Sequence, residues 1–405
     1  MGQLATRDVM YELISTSGRD DPARHYEEVR SADWTRTIGG IVVGRYDSAR
    51  WALSAKALGS QPPGSLRAAP RPWPPGDPRS QYSSDELRLV LFSEGADHVR
   101  RRRALDDAIG AANTGRVREV ATATAKTLVR RAVRAQAVEV MDEIAFPLAA
   151  ALVAELLGLP QDMAAWLGAR GRLAGDILDP VGGRDGQARQ ADGEVMTLLA
   201  AVIENRARQE ADDVLSRLLC PVAGSPALSA GERLAMAGLL FGATFGPTAT
   251  FIGNALFSLA TWPSEFGRLR DDPALLRSCV PELLRHGSPV HMTARYASRD
   301  IERGEVTIAE GEKVVVCLGA ANRDPDVFAD PDRLDLARAN ASRHLSFSGG
   351  HHGCAGSAIA SAVGLALLEC LAERCASLHL VGEPTWRRRV LLRGLTSAEV
   401  AFRAA

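Results

Sequence analysis

The 405-residue sequence has almost no lysine. Lys56, Lys126 and Lys313 are the only three, and the other 45 of its 48 basic residues are arginine. That skew points to the composition of a GC-rich genome rather than to chemistry. Net charge is nearly absent as well: 48 basic residues stand against 49 acidic ones. The balance removes the whole-molecule field by which nucleic acid or an anionic membrane is held, so neither is an expected partner. Six cysteines without a CxxC pair are too few for a disulfide scaffold in so long a chain. The first residues, MGQLATRDVMYELISTSGRDD, lack the apolar run of a secretory signal, so a cytoplasmic protein is expected. Gly2 and Thr6 fit a myristoylation pattern loosely, and a single acyl chain anchors only marginally. Apolar residues at 46% and charged residues at 24% exclude wholesale disorder.

Charge is missing altogether from Leu234 to Ser264, a stretch of 31 residues and long enough to cross a bilayer. Its content speaks against a membrane span, because Gly238, Gly242, Gly246, Gly253, Pro247, Thr244, Thr248, Thr250 and Asn254 interrupt it and no basic cluster flanks it. A helix that is uncharged all round can run through the middle of a large protein instead. Small residues at 238, 242 and 246 recur every four positions, and such a face lets a large flat group approach the backbone.

What is present reads as one mainly α-helical domain spanning residues 1–405 with a small β portion. Pro22 to Arg30 reads as a short helix, and Thr35 to Val43 as a hairpin around Gly39-Gly40. Residues 60–82, rich in Pro and Gly, read as a long loop, either a functional lid or a disordered segment. Apolar residues then recur at helical spacing from about 84 to 288. Residues 294–318 alternate like strands, 319–350 are irregular, Ala355–Ala376 is helical, and the tail from Leu378 reads as short strands.

Chemistry concentrates in 344-HLSFSGGHHGCAGSAIA-360. Four glycines around Cys354 demand a tight loop with unusual backbone angles, and an apolar helix follows at once. A cysteine at a helix start meets backbone N–H groups and the positive dipole end, which favour the thiolate and suit a soft metal. A zinc site from His344, His351, His352 and Cys354 lacks the spacing of a structural zinc pair-of-pairs.

Phe347, Gly350, His352, Cys354 and Gly356 match F-x-x-G-x-H-x-C-x-G, and this loop resembles the haem-ligand loop of the cytochromes P450. The resemblance runs along nearly the whole chain. Glu282 and Arg285 match the family's E-x-x-R pair, and ANRDPDVFADPDRLDLAR matches the meander, with Arg333 as candidate third member of that network. His98 and Arg102 match H-x-x-x-R on the helix that contacts haem. The resemblance implies the triangular, mainly α P450 fold, haem b with Cys354 as axial thiolate, and His98, Arg102, Arg295 and His344 as cations for the propionates. It places the long loop through residues 60–95 as the roof of the pocket, and substrate against Ala243, Phe245, Val290, His291, Met292 and Thr396. It also implies ferredoxin and ferredoxin reductase as electron donors, with the basic HVRRRR face (98–103) as docking surface.

The central helix departs from the family. In place of A-G-x-[DE]-T, whose acid and alcohol deliver protons to oxygen, the register through IGNAL puts Gly246 at the acid and Pro247 at the alcohol. Thr248 is adjacent, and no acid lies between Arg233 and Glu265. Thr244 or Thr248 is then the candidate to hold water or a substrate hydroxyl in place of the relay, and Pro247 predicts a kink and a free carbonyl near Ala243. The expected function is oxidation of a natural product or amino-acid derivative, free or carrier-bound, in secondary metabolism. Peroxide as oxidant is disfavoured, since P450 peroxygenases carry an arginine before the proline. Phe245-Gly246-Pro247-Thr248 resembles a stretch of the tryptophan-nitrating P450s, so nitration of an aromatic amino acid or peptide by nitric oxide and dioxygen is one alternative. A non-catalytic haem gas sensor is another.

Overall fold

A computed structural model describes residues 9–37, 39–61, 73, 76–174, 186–206, 213–219, 227–304 and 306–405. The helices are α1 (Val9–Ile14), α2 (Thr16–Asp20), α3 (Ala23–Arg30), α4 (Tyr46–Ser54), α5 (Gly95–Ile109), α6 (Ala111–Ala135), α7 (Phe146–Leu156) and α8 (Ala164–Ala174). They continue as α9 (Gly186–Arg206), α10 (Val214–Leu219), α11 (Ala230–Thr261), α12 (Pro263–Asp271), α13 (Leu276–Gly287), α14 (Leu318–Ala321) and α15 (Ser357–Arg374).

The strands are β1 (Thr35–Thr37), β2 (Gly40–Val43), β3 (Leu58–Gly59), β4 (Ala137–Glu139), β5 (Met292–Ala297), β6 (Ile301–Arg303), β7 (Val306–Ile308), β8 (Lys313–Cys317), β9 (Cys375–Trp386) and β10 (Leu395–Ala404). They form sheets of order β1-β2-β8-β5-β3, β4-β10-β9 and β6-β7. The tail strands are longer than the sequence pattern indicates. The helix before them stops at Arg374, because Cys375 already opens β9. Most of the Pro/Gly-rich stretch 60–82 lies outside the described residues.

α11 is the axle. Ser229 caps it and Glu232 closes the reciprocal capping box, which satisfies orphan amides at the buried start. The helix runs on through Pro247 without a break. It is long and apolar enough to cross a membrane, and two thirds of that apolar stretch, 67%, is buried inside this protein. α7, α8, α9, α13 and both tail strands pack around it, and the main apolar cluster draws on all of them.

The small-residue stripe divides between packing and open space. A Cβ on Gly238 would stand 3.0 Å from Met196 Sδ of α9, and Gly246 is buried. Only Gly242 has nothing within 4 Å. The stripe therefore packs closely at Gly238 and stands open at Gly242.

The turn at 77–81 is held by charge. Arg79 makes a bidentate pair with Asp77 (2.9 and 2.7 Å) and reaches Asp192 of α9 at 2.6 Å. Trp73 stacks over its guanidinium at 3.9 Å. Both Asp77 and Arg79 are buried, so the turn at 77–81 is clamped to α9.

Candidate functional site

The loop before α15 is built around backbone angles that side chains resist. Gly350 has φ +67°, and a Cβ there would meet Leu53 O at 2.4 Å. Ser348 also takes a positive φ of 60°. The Cys354 amide donates to Phe347 O at 2.9 Å, which folds the loop over itself, and the Phe347 ring lies 5.3 Å from His344. Cys354 is exposed, and the loop residues on either side of it, from Gly350 to Ala358, are exposed or only partly buried. Burial raises its thiol pKa, while the Gly356 N–H, which donates to the sulfur, and Arg102 act in the opposite direction. A Cβ on Gly356 would come 4.0 Å from that sulfur.

One cation held against this loop lacks a matching anion. Arg295 is 3% exposed, its Nε has no partner, and its terminal nitrogens bond only Thr293 Oγ1, Ala294 O and Ser348 Oγ. Burial pushes its pKa down, and only the charge of Glu94 opposes that. A guanidinium in that position requires an anion to complete it. His98 lies 5% exposed, with its ring centroid 4.4 Å from that of His352 and 5.4 Å from that of His351. Burial and then the two neighbouring histidines hold its pKa down at about 4, so it is a neutral imidazole and not the expected cation, able to donate a hydrogen bond to an anion.

Arg102 is split: Nε bonds Asp106, and Nη1 bonds His351 O at 3.2 Å and Gly353 O at 2.7 Å. It braces the cysteine loop from below as much as it serves an anion. His344 departs from expectation. Its Nδ1 accepts the Ser346 amide at 3.2 Å, and burial with Arg285 nearby lowers its pKa to about 4, so it is a neutral acceptor and not a cation.

The HVRRRR face is also not free charge. Arg100 and Arg101 pair with Asp97 and Glu232, Arg102 with Asp106, and Arg101 is 3% exposed. Only Arg103 is left with a long contact, 3.9 Å to Asp107.

Across α11 the open face is defined by Ala243, which is exposed in mid-helix, and by Gly242, Thr244 and Pro247, which are partly so. Pro247 has no N–H, so the Ala243 carbonyl loses its i+4 donor on this face. Thr248 is 8% exposed and stands about 140° around the helix from Ala243, which leaves Thr244 as the nearer hydroxyl.

Several expected substrate contacts are packed into the core or turned to the surface in the structure. Phe245 lies about 200° from Ala243. It is 1% exposed, stacked between Phe146 and Phe241 at 5.8 and 6.1 Å, and packed beneath Gly171, so it is core. Thr396 is on the exposed side of β10; strand alternation turns Leu395 inward instead, and Gly394 abuts Thr250 of α11. Met292, 1% exposed, belongs to an apolar cluster with Val9, Leu13 and Tyr26. His291 packs 5.5 Å from the Tyr26 ring and against Gly319. Val290 bridges Leu392 and is partly buried. Sequence reasoning missed Thr293, whose hydroxyl shares the Arg295 side of β5; the i, i+2 alternation signals it.

Behind the site, Glu282 and Arg285 are both 0% exposed and joined at 2.7 and 2.9 Å. The third member of this network is Arg338, with Nε 3.1 Å from Glu282 Oε1. Arg333 is exposed and lends only its carbonyl, to Arg285 at 3.3 Å and Arg338 at 3.1 Å. The exposed thiol of Cys354, the anion-deficient Arg295, the imidazole of His98 as a hydrogen-bond donor, and the open face at Ala243 together fit a flat, dianionic, sulfur-ligated group.

Comparison with known proteins bears on the same residues. The family model described as cytochrome P450 matches residues 177–376. Cytochrome P450 107B1 of Saccharopolyspora erythraea is 31% identical over 376 residues, 90% of each chain. The 6-deoxyerythronolide B hydroxylase of the same organism is 31% identical over 398 residues, 95% of this chain and 96% of that one. Among solved structures, CalO2 superposes with a TM-score of 0.85 at 28% identity, covering 96% of this chain and 98% of its own. P450BioI in complex with hexadec-9Z-enoic acid ligated acyl carrier protein superposes at 0.83 and 27%, covering 96% and 99%. The fold, the cysteine loop and these likenesses lead to one statement: the chain belongs to the cytochrome P450 family of haem-thiolate monooxygenases.

Proposed function

We propose that this P450 oxidises a natural-product or amino-acid-derived substrate with Cys354 as the axial thiolate and without an acid–alcohol proton relay on its central helix. One observation carries the reading. The open face of α11 presents Ala243, Thr244 and Pro247, and no carboxylate lies between Arg233 and Glu265. When bound, haem supplies the oxygen activation and electron transfer of the family. The chain's own contribution is different. The Gly356 N–H and the rigid Gly350 turn hold the sulfur, and Arg295 and His98 receive the propionates, with the free end of Arg102 beside them. The Ala243 carbonyl and Thr244 hydroxyl offer an acceptor and a donor for a substrate hydroxyl or a water, which takes over proton delivery.

Natural-product chemistry is supported by relatives such as 6-deoxyerythronolide B hydroxylase, and carrier-bound delivery by the acyl carrier protein seated on P450BioI. Electrons come from a separate ferredoxin system in the cytoplasm, as the family resemblance implies. The docking charge resides chiefly at Arg103, given the pairing of its neighbours. Aromatic nitration is the second reading, supported by the same missing relay, because that chemistry has no need of proton-driven O–O cleavage.

Titration of the ferric protein with tryptophan, tyrosine and aromatic peptides, followed at the Soret band, separates the two. A saturable high-spin shift, followed by a nitrated product only when nitric oxide is supplied, establishes nitration. A shift obtained only with a polyketide or an acyl carrier conjugate establishes natural-product oxidation. Reductant consumption that no substrate stimulates would overturn both.

A further inference from the structure

Two consecutive histidines of the cysteine loop aim the same ring nitrogen at one carboxylate. Glu94 is the N-cap residue of α5. Its Oε1 is 3.1 Å from His352 Nε2, and its Oε2 is 3.4 Å from His351 Nε2. Among the described residues, these three form a group whose ligand atoms all lie within 4.8 Å of one another. Ser60 anchors the carboxylate from the other side, its hydroxyl 2.9 Å from Oε1. The Glu94 side chain is therefore oriented by its own partner and not merely swung toward the histidines.

We propose that Glu94, His351 and His352 form a second metal site, for a divalent ion of the zinc class, at the edge of the haem cradle. The donor set is two imidazole nitrogens and one carboxylate oxygen, the combination that borderline divalent ions prefer. Ligands about 2.0–2.1 Å from a tetrahedral ion stand roughly 3.3 Å apart, close to the two separations seen here. His351 and Glu94 are about a third exposed, 36% and 35%, so the ion has an entry path and a water completes its shell. His352 contributes its Nε2. Bound there, the ion ties the segment at Ser60, the start of α5 and the cysteine loop into one unit. His351 falls at an unspecified position of the haem-loop pattern, so the site is a property of this chain, and it holds whichever reaction the enzyme performs.

The test uses the haem-loaded protein, stripped of metal with a chelator and titrated with Zn²⁺ by calorimetry, with Mg²⁺ as control. The expected result is one Zn²⁺ per chain in the micromolar range and no Mg²⁺ binding. His351→Ala and Glu94→Gln should each weaken Zn²⁺ binding on the order of tenfold or more, with the CO-adduct spectrum unchanged in both. A simple ion pair makes the opposite forecast. No stoichiometric zinc on the native protein, or equal affinity in native protein and both variants, overturns the site.

Discussion

Pro247 takes from the Ala243 carbonyl the amide that would close its turn of α11, and Ala243 is the exposed residue at the middle of that otherwise buried helix. A proline in a helix interior costs about 3 kcal/mol. Pro247→Ala restores the missing donor and should stabilise the haem-loaded protein toward urea by roughly 1–3 kcal/mol. The same variant should alter the fraction of reducing equivalents lost as hydrogen peroxide, because it ties up the acceptor that positions water. Greater stability with unchanged peroxide release would confine Pro247 to a structural role.

Glu282 and Arg285 are fully buried, and Arg338 completes them. Losing one partner of a buried pair costs about 3–5 kcal/mol. Arg338→Ala should therefore sharply reduce soluble, haem-loaded protein, and Arg333→Ala should leave it within about 0.5 kcal/mol of native. Chemical denaturation of the two variants side by side checks the assignment.

Acid should weaken the fold through His291. Its pKa is lowered from 6.5 to about 3 by burial, then by Arg393, Arg19 and Arg323, and its Nε2 has no hydrogen-bond partner. The unfolded chain takes up a proton below pH 6.5 and the folded one does not until about 3, so stability is lost as pH falls through that window. The slope is up to about 1.4 kcal/mol per pH unit from this one group. His291→Leu should flatten the loss between pH 6.5 and 4; an unchanged slope means other groups govern it.

The clamp of Asp77, Arg79 and Asp192 joins the turn at 77–81 to α9. Arg79→Met should leave the CO spectrum intact while hydrogen exchange at residues 77–81 accelerates by about tenfold or more. Equal protection in the variant would show that packing alone holds the turn.

Local patterns made the site's chemistry legible, and three-dimensional side-choice did not follow from them. The cysteine loop could be read because its glycines are required by backbone angles, as at Gly350. The buried E-x-x-R pair could be read because i and i+3 share a helix face. Phe245 and Thr396 were misplaced because adjacency in sequence says nothing of which face a residue occupies. On α11 a step of two residues crosses the helix, and on β10 a step of one crosses the sheet. Arg333 and Arg338 lie five apart in an irregular stretch with no period, so only the carbonyls of Ala329, Asp330 and Arg333 select Arg338. The charge run at 98–103 concealed its carboxylate partners, one of which, Glu232, is more than a hundred residues away.

The most direct measurement is the CO-difference spectrum of dithionite-reduced Cys354→Ser beside the native protein. Native protein should give the thiolate-type Soret position, and the variant should lose it while remaining folded by circular dichroism. A thiolate-type spectrum that survives the substitution would place the iron ligand elsewhere and contradict the site built around Cys354.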